Sequence, residues 1–70
     1  MKKAWVYLYV RDGKVSVFVS KDHDADLSLV GSFDVKDELA LGKVVIREMI
    51  LLSNEGYYCQ LTTHSLNPHE

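Results

Sequence analysis

The chain has 70 residues, a formal net charge of −2, 47% apolar residues and a single cysteine. That length makes one domain, and one that buries only ~60% of the surface its unfolded chain exposes, so its stability is expected to be marginal unless it associates. The composition excludes a disordered chain, the lone Cys59 excludes an intramolecular disulfide or a cysteine-built zinc site, and no apolar run approaches the ~18 residues of a membrane span.

Residues 5–20, WVYLYVRDGKVSVFVS, read as a β-hairpin. Asp12-Gly13 between two alternating runs is the favoured two-residue turn, because both of its positions need positive φ. Counting outward pairs Val10 with Val15, Leu8 with Val17 and Val6 with Val19 on one aliphatic face. The other face pairs Arg11 with Lys14, Tyr9 with Ser16, Tyr7 with Phe18 and Trp5 with Ser20. A slip of one residue would scramble both sets, so the clean segregation supports this register.

Ser20–Asp26 is a polar connection. Leu27–Phe33 then alternates as a third strand, with Leu27, Leu29 and Phe33 on one side and Ser28, Val30 and Ser32 on the other. Gly31 interrupts it. Asp34 is a candidate N-cap, with Asp37 and Glu38 in the first turn. Val35, Leu39, Gly42, Val45, Ile46, Met49, Ile50 and Leu52 recur at three- and four-residue spacing, which predicts a long amphipathic helix. Gly56 suits the left-handed position after it, and Tyr57–His64 alternates as a last strand. The alternative is a short helix over 34–41, stopped at Gly42, followed by a second hairpin built on the β-branched Val44, Val45 and Ile46.

The expected fold is therefore α+β: a three-stranded antiparallel meander, one helix on one sheet face and a final strand, in the order β-β-β-α-β. A right-handed crossover returns the last strand parallel to the first, beside it or beside the third. Residues 1–64 form the domain and 65–70 a flexible polar tail.

Charge is unevenly distributed. Residues 1–21 hold five basic residues against one acid, net +4; residues 22–70 hold three against nine, net −6. The aromatic hairpin thus lies in the basic third, which points to a nucleic acid or an acidic partner surface unless the two parts attract each other in the fold. The start of the chain, MKKAWVYLYVRDG, alternates and ends in charges without a small-residue cleavage site, unlike a signal peptide. A cytoplasmic location is the expectation.

Chemistry-bearing motifs are sparse. Asp22, Asp24 and Asp26 stand at positions 1, 3 and 5 of a calcium-loop pattern, but Leu27 stands where the turn needs Gly and Phe33 where a bidentate Glu is needed. They are weak metal candidates, and no metal or other cofactor is expected. Cys59 and His64 are five apart on one strand and so face opposite ways, which rules out a nucleophile–base pair there. The glycines are scattered singly, with no phosphate loop among them. No catalytic residue is assigned, and an enzyme is not expected.

Trp5, Tyr7, Tyr9 and Phe18, with Arg11 and Lys14 at the tip, are the candidate site, because one-sided sheets seldom expose so many rings. The face can pair with a second copy, dock another protein through its aromatic and Arg anchors, or stack nucleobases with Lys2 and Lys3 also on phosphates. Ala40, Val44 and Leu51, between a basic edge (Lys36, Lys43, Arg47) and an acidic one (Asp37, Glu48), are a second candidate interface. The strand-strand-strand-helix-strand order is similar to that of the small antitoxin core typified by HicB, and more loosely to phage-type inhibitor proteins; this is a similarity of element order with no motif carried over. The functional expectation is a protein-binding module of adaptor or inhibitor type, acting through the aromatic face as a homodimer. The alternative is a single-stranded nucleic-acid binder using the same hairpin, and a membrane partner is not expected.

Overall fold

The computed structural model describes residues 2–21 and 27–65. Four strands, β1 (Lys2–Arg11), β2 (Lys14–Lys21), β3 (Ser28–Asp34) and β4 (Tyr57–Ser65), form one sheet in the order β3-β2-β1-β4, and a helix, α1 (Glu38–Asn54), joins β3 to β4. The chain order is β-β-β-α-β. The sheet is mixed: β1–β2 and β2–β3 run antiparallel, and β4 lies parallel to β1.

Asp12 (φ 50°) and Gly13 (φ 74°) both sit in the left-handed region, so the β1–β2 turn twists with the strands it joins. The resulting register contains every pair counted outward from that turn, from Arg11↔Lys14 to Trp5↔Ser20. Val35 N–H also donates to Gly13 O at 3.0 Å, which ties the end of β3 to the hairpin tip.

The third strand departs from strict alternation. The β2–β3 register shifts between Val17 and Phe18: Val17 faces Gly31, but Phe18 faces Leu29, leaving Val30 as the extra residue. A bulge of this kind reverses which side faces the core. Phe33, opposite Val15, therefore shares the aliphatic face, while Leu29 is carried to the aromatic face instead of staying with Phe33. The Phe33 ring folds over Gly31, where an added Cβ would lie 3.2 Å from it.

The helix runs unbroken through Gly42, so the short-helix alternative does not form. A Cβ at Gly42 would meet nothing within 4 Å; the glycine costs helix propensity without being required by packing. The N-cap is Asp37, not Asp34. Asp34 instead closes the preceding turn, its Oδ1 accepting from Lys36 N–H at 3.0 Å and its carbonyl from Asp37 N–H at 2.9 Å. At the other end Glu55 N–H reaches the carbonyls of Leu51 and Leu52, and Gly56 (φ 92°) turns the chain into β4.

The helix packs over β1 and β4. Ala4, Val6, Val17, Val45 and Leu52 form the buried cluster, with Leu8, Val19, Phe33, Leu41, Met49, Tyr57 and Cys59 packed against it. The face of α1 turned inward is thus Leu41, Val45, Met49 and Leu52. Leu39, Ile46 and Ile50, expected in the core stripe, are exposed, as is Val35 before the helix. The reason lies in the helix itself: it is apolar around most of its circumference, so periodicity alone does not select one face.

Val6 and Val17 are the largest fully buried side chains. Val17→Ala removes two buried methyl groups beneath the helix and is expected to cost about 2 kcal/mol. Chemical denaturation followed by far-UV circular dichroism measures this; a loss below about 0.5 kcal/mol, the level of a surface change, would contradict the central position of Val17.

Candidate interaction surfaces

The sheet face opposite the helix carries Trp5, Tyr7 and Tyr9 from β1 and Phe18 from β2. By register it also holds Leu29 and Ser32 of β3 and Tyr58, Gln60 and Thr62 of β4. The four hairpin aromatics are half-buried. Tyr9 and Phe18 meet edge to face at 5.3 Å and 87°, and Tyr7 lies 6.3 Å from Tyr9. Trp5, Tyr7, Tyr9 and Ser20 have further contacts of their own. Ser16 and Ser32 share a hydroxyl hydrogen bond at 3.1 Å beside Phe18, and Ser20, opposite Trp5, is buried.

At the hairpin end of this face lies an open cavity of about 260 Å³, lined by Tyr9, Arg11, Lys14, Ser16, Phe18 and Leu27. Its lining combines aromatic and aliphatic side chains with two cations, Arg11 and Lys14, and the Ser16 hydroxyl. Arg11 Nε is 3.6 Å from Asp12 Oδ2, but both side chains are largely in water. Such a pair contributes about 0–1 kcal/mol, so the guanidinium remains available to an incoming acid.

The basic residues of the N-terminal third do not form one patch. Lys2 and Lys3 begin β1 and Arg11 ends it, ~30 Å away at the rise of an extended strand. Adjacent strand residues face opposite ways, and Lys2 lies over the Tyr57 ring on the helix side, 5.9 Å from its centroid. Lys21 is bound to Glu55 at 2.9 Å and also lies over Tyr57, at 5.5 Å. The hydrogen bond to Glu55, then its charge, raises the Lys21 pKa. Whatever this half-exposed pair adds to stability is present at neutral pH and is lost only as pH climbs through that raised value. Among the described residues, the basic and acidic parts of the chain therefore do attract each other here, through the Lys21–Glu55 ion pair.

Ala40 and Leu51 of the second candidate interface are exposed, and Val44 is half-buried. Asp22, Asp24 and Asp26 lie outside the described residues. Among the described residues no three His, Cys, Asp or Glu side chains are grouped to hold a metal ion. Cys59 pairs with Ala4 on the helix side of the sheet. Burial pushes the Cys59 thiol up, away from the thiolate a nucleophile requires.

Two features of these surfaces had little signal in the sequence: Leu29 reaches the aromatic face through the bulge, and Leu27 joins the cavity wall. No helix among the described residues is long and apolar enough to cross a membrane. No protein-family model, curated protein or solved structure matches the chain. Fold and surface together define a small α+β domain with one helix on a mixed four-stranded sheet and an aromatic opposite face.

Cys59 is expected to react with iodoacetamide more slowly at pH 8 than a free cysteine does, with its rate still rising where the free thiol has levelled off. Equal pH profiles for the two would contradict the burial of the thiol.

Proposed function

We propose that this protein is a non-enzymatic protein-binding module, of adaptor or inhibitor type, that works as a homodimer and takes its partner on the aromatic sheet face. The cavity at the hairpin end carries this reading. Its volume of about 260 Å³ is below the ~300–1,000 Å³ common for cofactor and substrate pockets. It suits one large apolar side chain of a partner. Arg11 and Lys14 at the rim then favour acidic residues flanking that side chain, and aromatic and Arg groups are the usual anchors of binding energy. A partner segment with Leu, Phe or Trp among Asp and Glu is the chemistry that fits.

The separation of Lys2 and Lys3 from Arg11 and Lys14 supports a protein partner over a nucleic acid, since a strand-binding groove needs cations along its length. A single cysteine, with no second one to form an intramolecular disulfide, suits a reducing compartment, and we assign the protein to the cytoplasm on that ground.

Selection of displayed peptides on the immobilised protein tests the proposal. Enriched sequences are expected to combine one large apolar residue with neighbouring acids, to bind more weakly as salt rises, and to lose at least about tenfold in affinity to Phe18→Ser and to Arg11→Glu/Lys14→Glu. Enrichment indifferent to both variants would refute the site. Quenching of Trp5 fluorescence by oligonucleotides with a steep salt dependence would replace the proposal with nucleic-acid binding.

A further inference from the structure

The sheet has two edges, and they differ. The β3 edge is seven residues long, bulged, contains Gly31 and ends in Asp34. These are devices that discourage strand addition. The β4 edge, YYCQLTTHS, has none of them: nine residues with no Asp, Glu, Lys, Arg, Pro or Gly, rich in aromatic and β-branched types and, among the described residues, paired only to β1 on its inner side. Its outer side presents backbone donors and acceptors in the pattern that another strand satisfies.

An apolar helix flank lies on the same side of the molecule. β3 and β4 are parallel and α1 connects them, and such crossovers are right-handed. With that hand, going round the helix from the inward Val45 through Ile46 leads toward the β4 edge. At 100° per residue Gly42, Ile46, Leu39 and Ile50 fall roughly 60–140° round on this side, whereas Val44, Ala40 and Leu51 fall on the side toward β2. The exposures agree. Leu39 is 77% exposed, Ile46 59% and Ile50 53%, and Leu61, on the helix-side face of β4, is 48% exposed. Val44 and Glu48, over the sheet, are half-buried.

We propose that a second copy of this chain docks on this edge, β4 antiparallel to β4 about a two-fold axis, giving a continuous eight-stranded sheet with both helices on one face. Spacing supports that occupant. A helix centred over the β1/β4 boundary is one strand spacing, ~4.8 Å, from an axis running beside β4. Two copies then bring their helix axes ~10 Å apart, which is the distance at which helices pack. Leu39, Ile46 and Ile50 of each copy fill that seam above the paired Leu61 side chains. Gly42 leaves an open notch in it. Lys43 and Arg47 lie farther round toward water, so no like charges are buried together. The inference specifies the interface of the homodimer in the proposed function, and it leaves the aromatic face of each copy open to its partner.

Sedimentation equilibrium in the micromolar range, with hydrogen exchange of the β4 amides, tests this. The native chain is expected at twice its mass, with successive β4 amides protected. Ile46→Lys/Ile50→Lys changes side chains that the single copy leaves in water, so it is expected to keep the helical circular dichroism signal, fall to the mass of one chain and expose alternate β4 amides to exchange. Phe18→Ser is expected to stay dimeric. A native chain of single mass, or a dimer that survives Ile46→Lys/Ile50→Lys, overturns the inference. A dimer lost in Phe18→Ser overturns it in favour of face-to-face sheet packing. Peptide binding that persists while the mass is single separates failure of this interface from failure of the aromatic site.

Discussion

The positive φ of Asp12 and Gly13 constrains the whole domain. With both residues left-handed, the hairpin closes in two residues and can take only one register. That register puts Val6, Leu8, Val17 and Val19 on one side and Trp5, Tyr7, Tyr9 and Phe18 on the other. A slip of one position would send the rings toward the helix and the valines toward water. The aliphatic face then determines where α1 packs. The aromatic face is left over, with Arg11 and Lys14 at its tip because they flank the turn.

The second constraint is scarcity. One helix covers β1 and β4, and the described core contains six buried apolar residues. In a chain of this size each of them matters, since net stability is the small difference between burial and chain entropy. Exposed leucines and isoleucines are unremarkable singly. Here Leu39, Ile46, Ile50 and Leu61 stand exposed beside a strand edge that no described residue covers. In the proposed dimer, pairing at that edge satisfies backbone groups and buries those side chains at once, and it leaves the aromatic face uncovered.

The hairpin was legible because a two-residue turn converts residue counting into three-dimensional pairing. The long helix was legible too: seventeen residues of packing outweigh one glycine and a few β-branched residues. The parallel return of β4 beside β1 was one of two arrangements that chain connectivity allows. The choice of helix face was not legible. Apolar residues on both flanks fit several orientations, and the inward one is set by the position of α1 over the sheet rather than by its own period. The bulge opposite Phe18 was equally hidden, because Gly31 marks an irregularity without saying which way the strand will turn. The cap moved from Asp34 to Asp37 for a related reason: Asp side chains also close turns, and here one such turn precedes the helix. The candidate site was legible as the aromatic set with its basic tip, but not as a cavity, whose wall includes Leu27.

In the proposed dimer the domain gains stability by covering its apolar surface with a second copy. Thermal unfolding measured over an about 100-fold range of protein concentration tests it most directly, because a fold coupled to association must follow mass action. The Tm is expected to rise steadily with concentration. A Tm that stays constant across the range would contradict it.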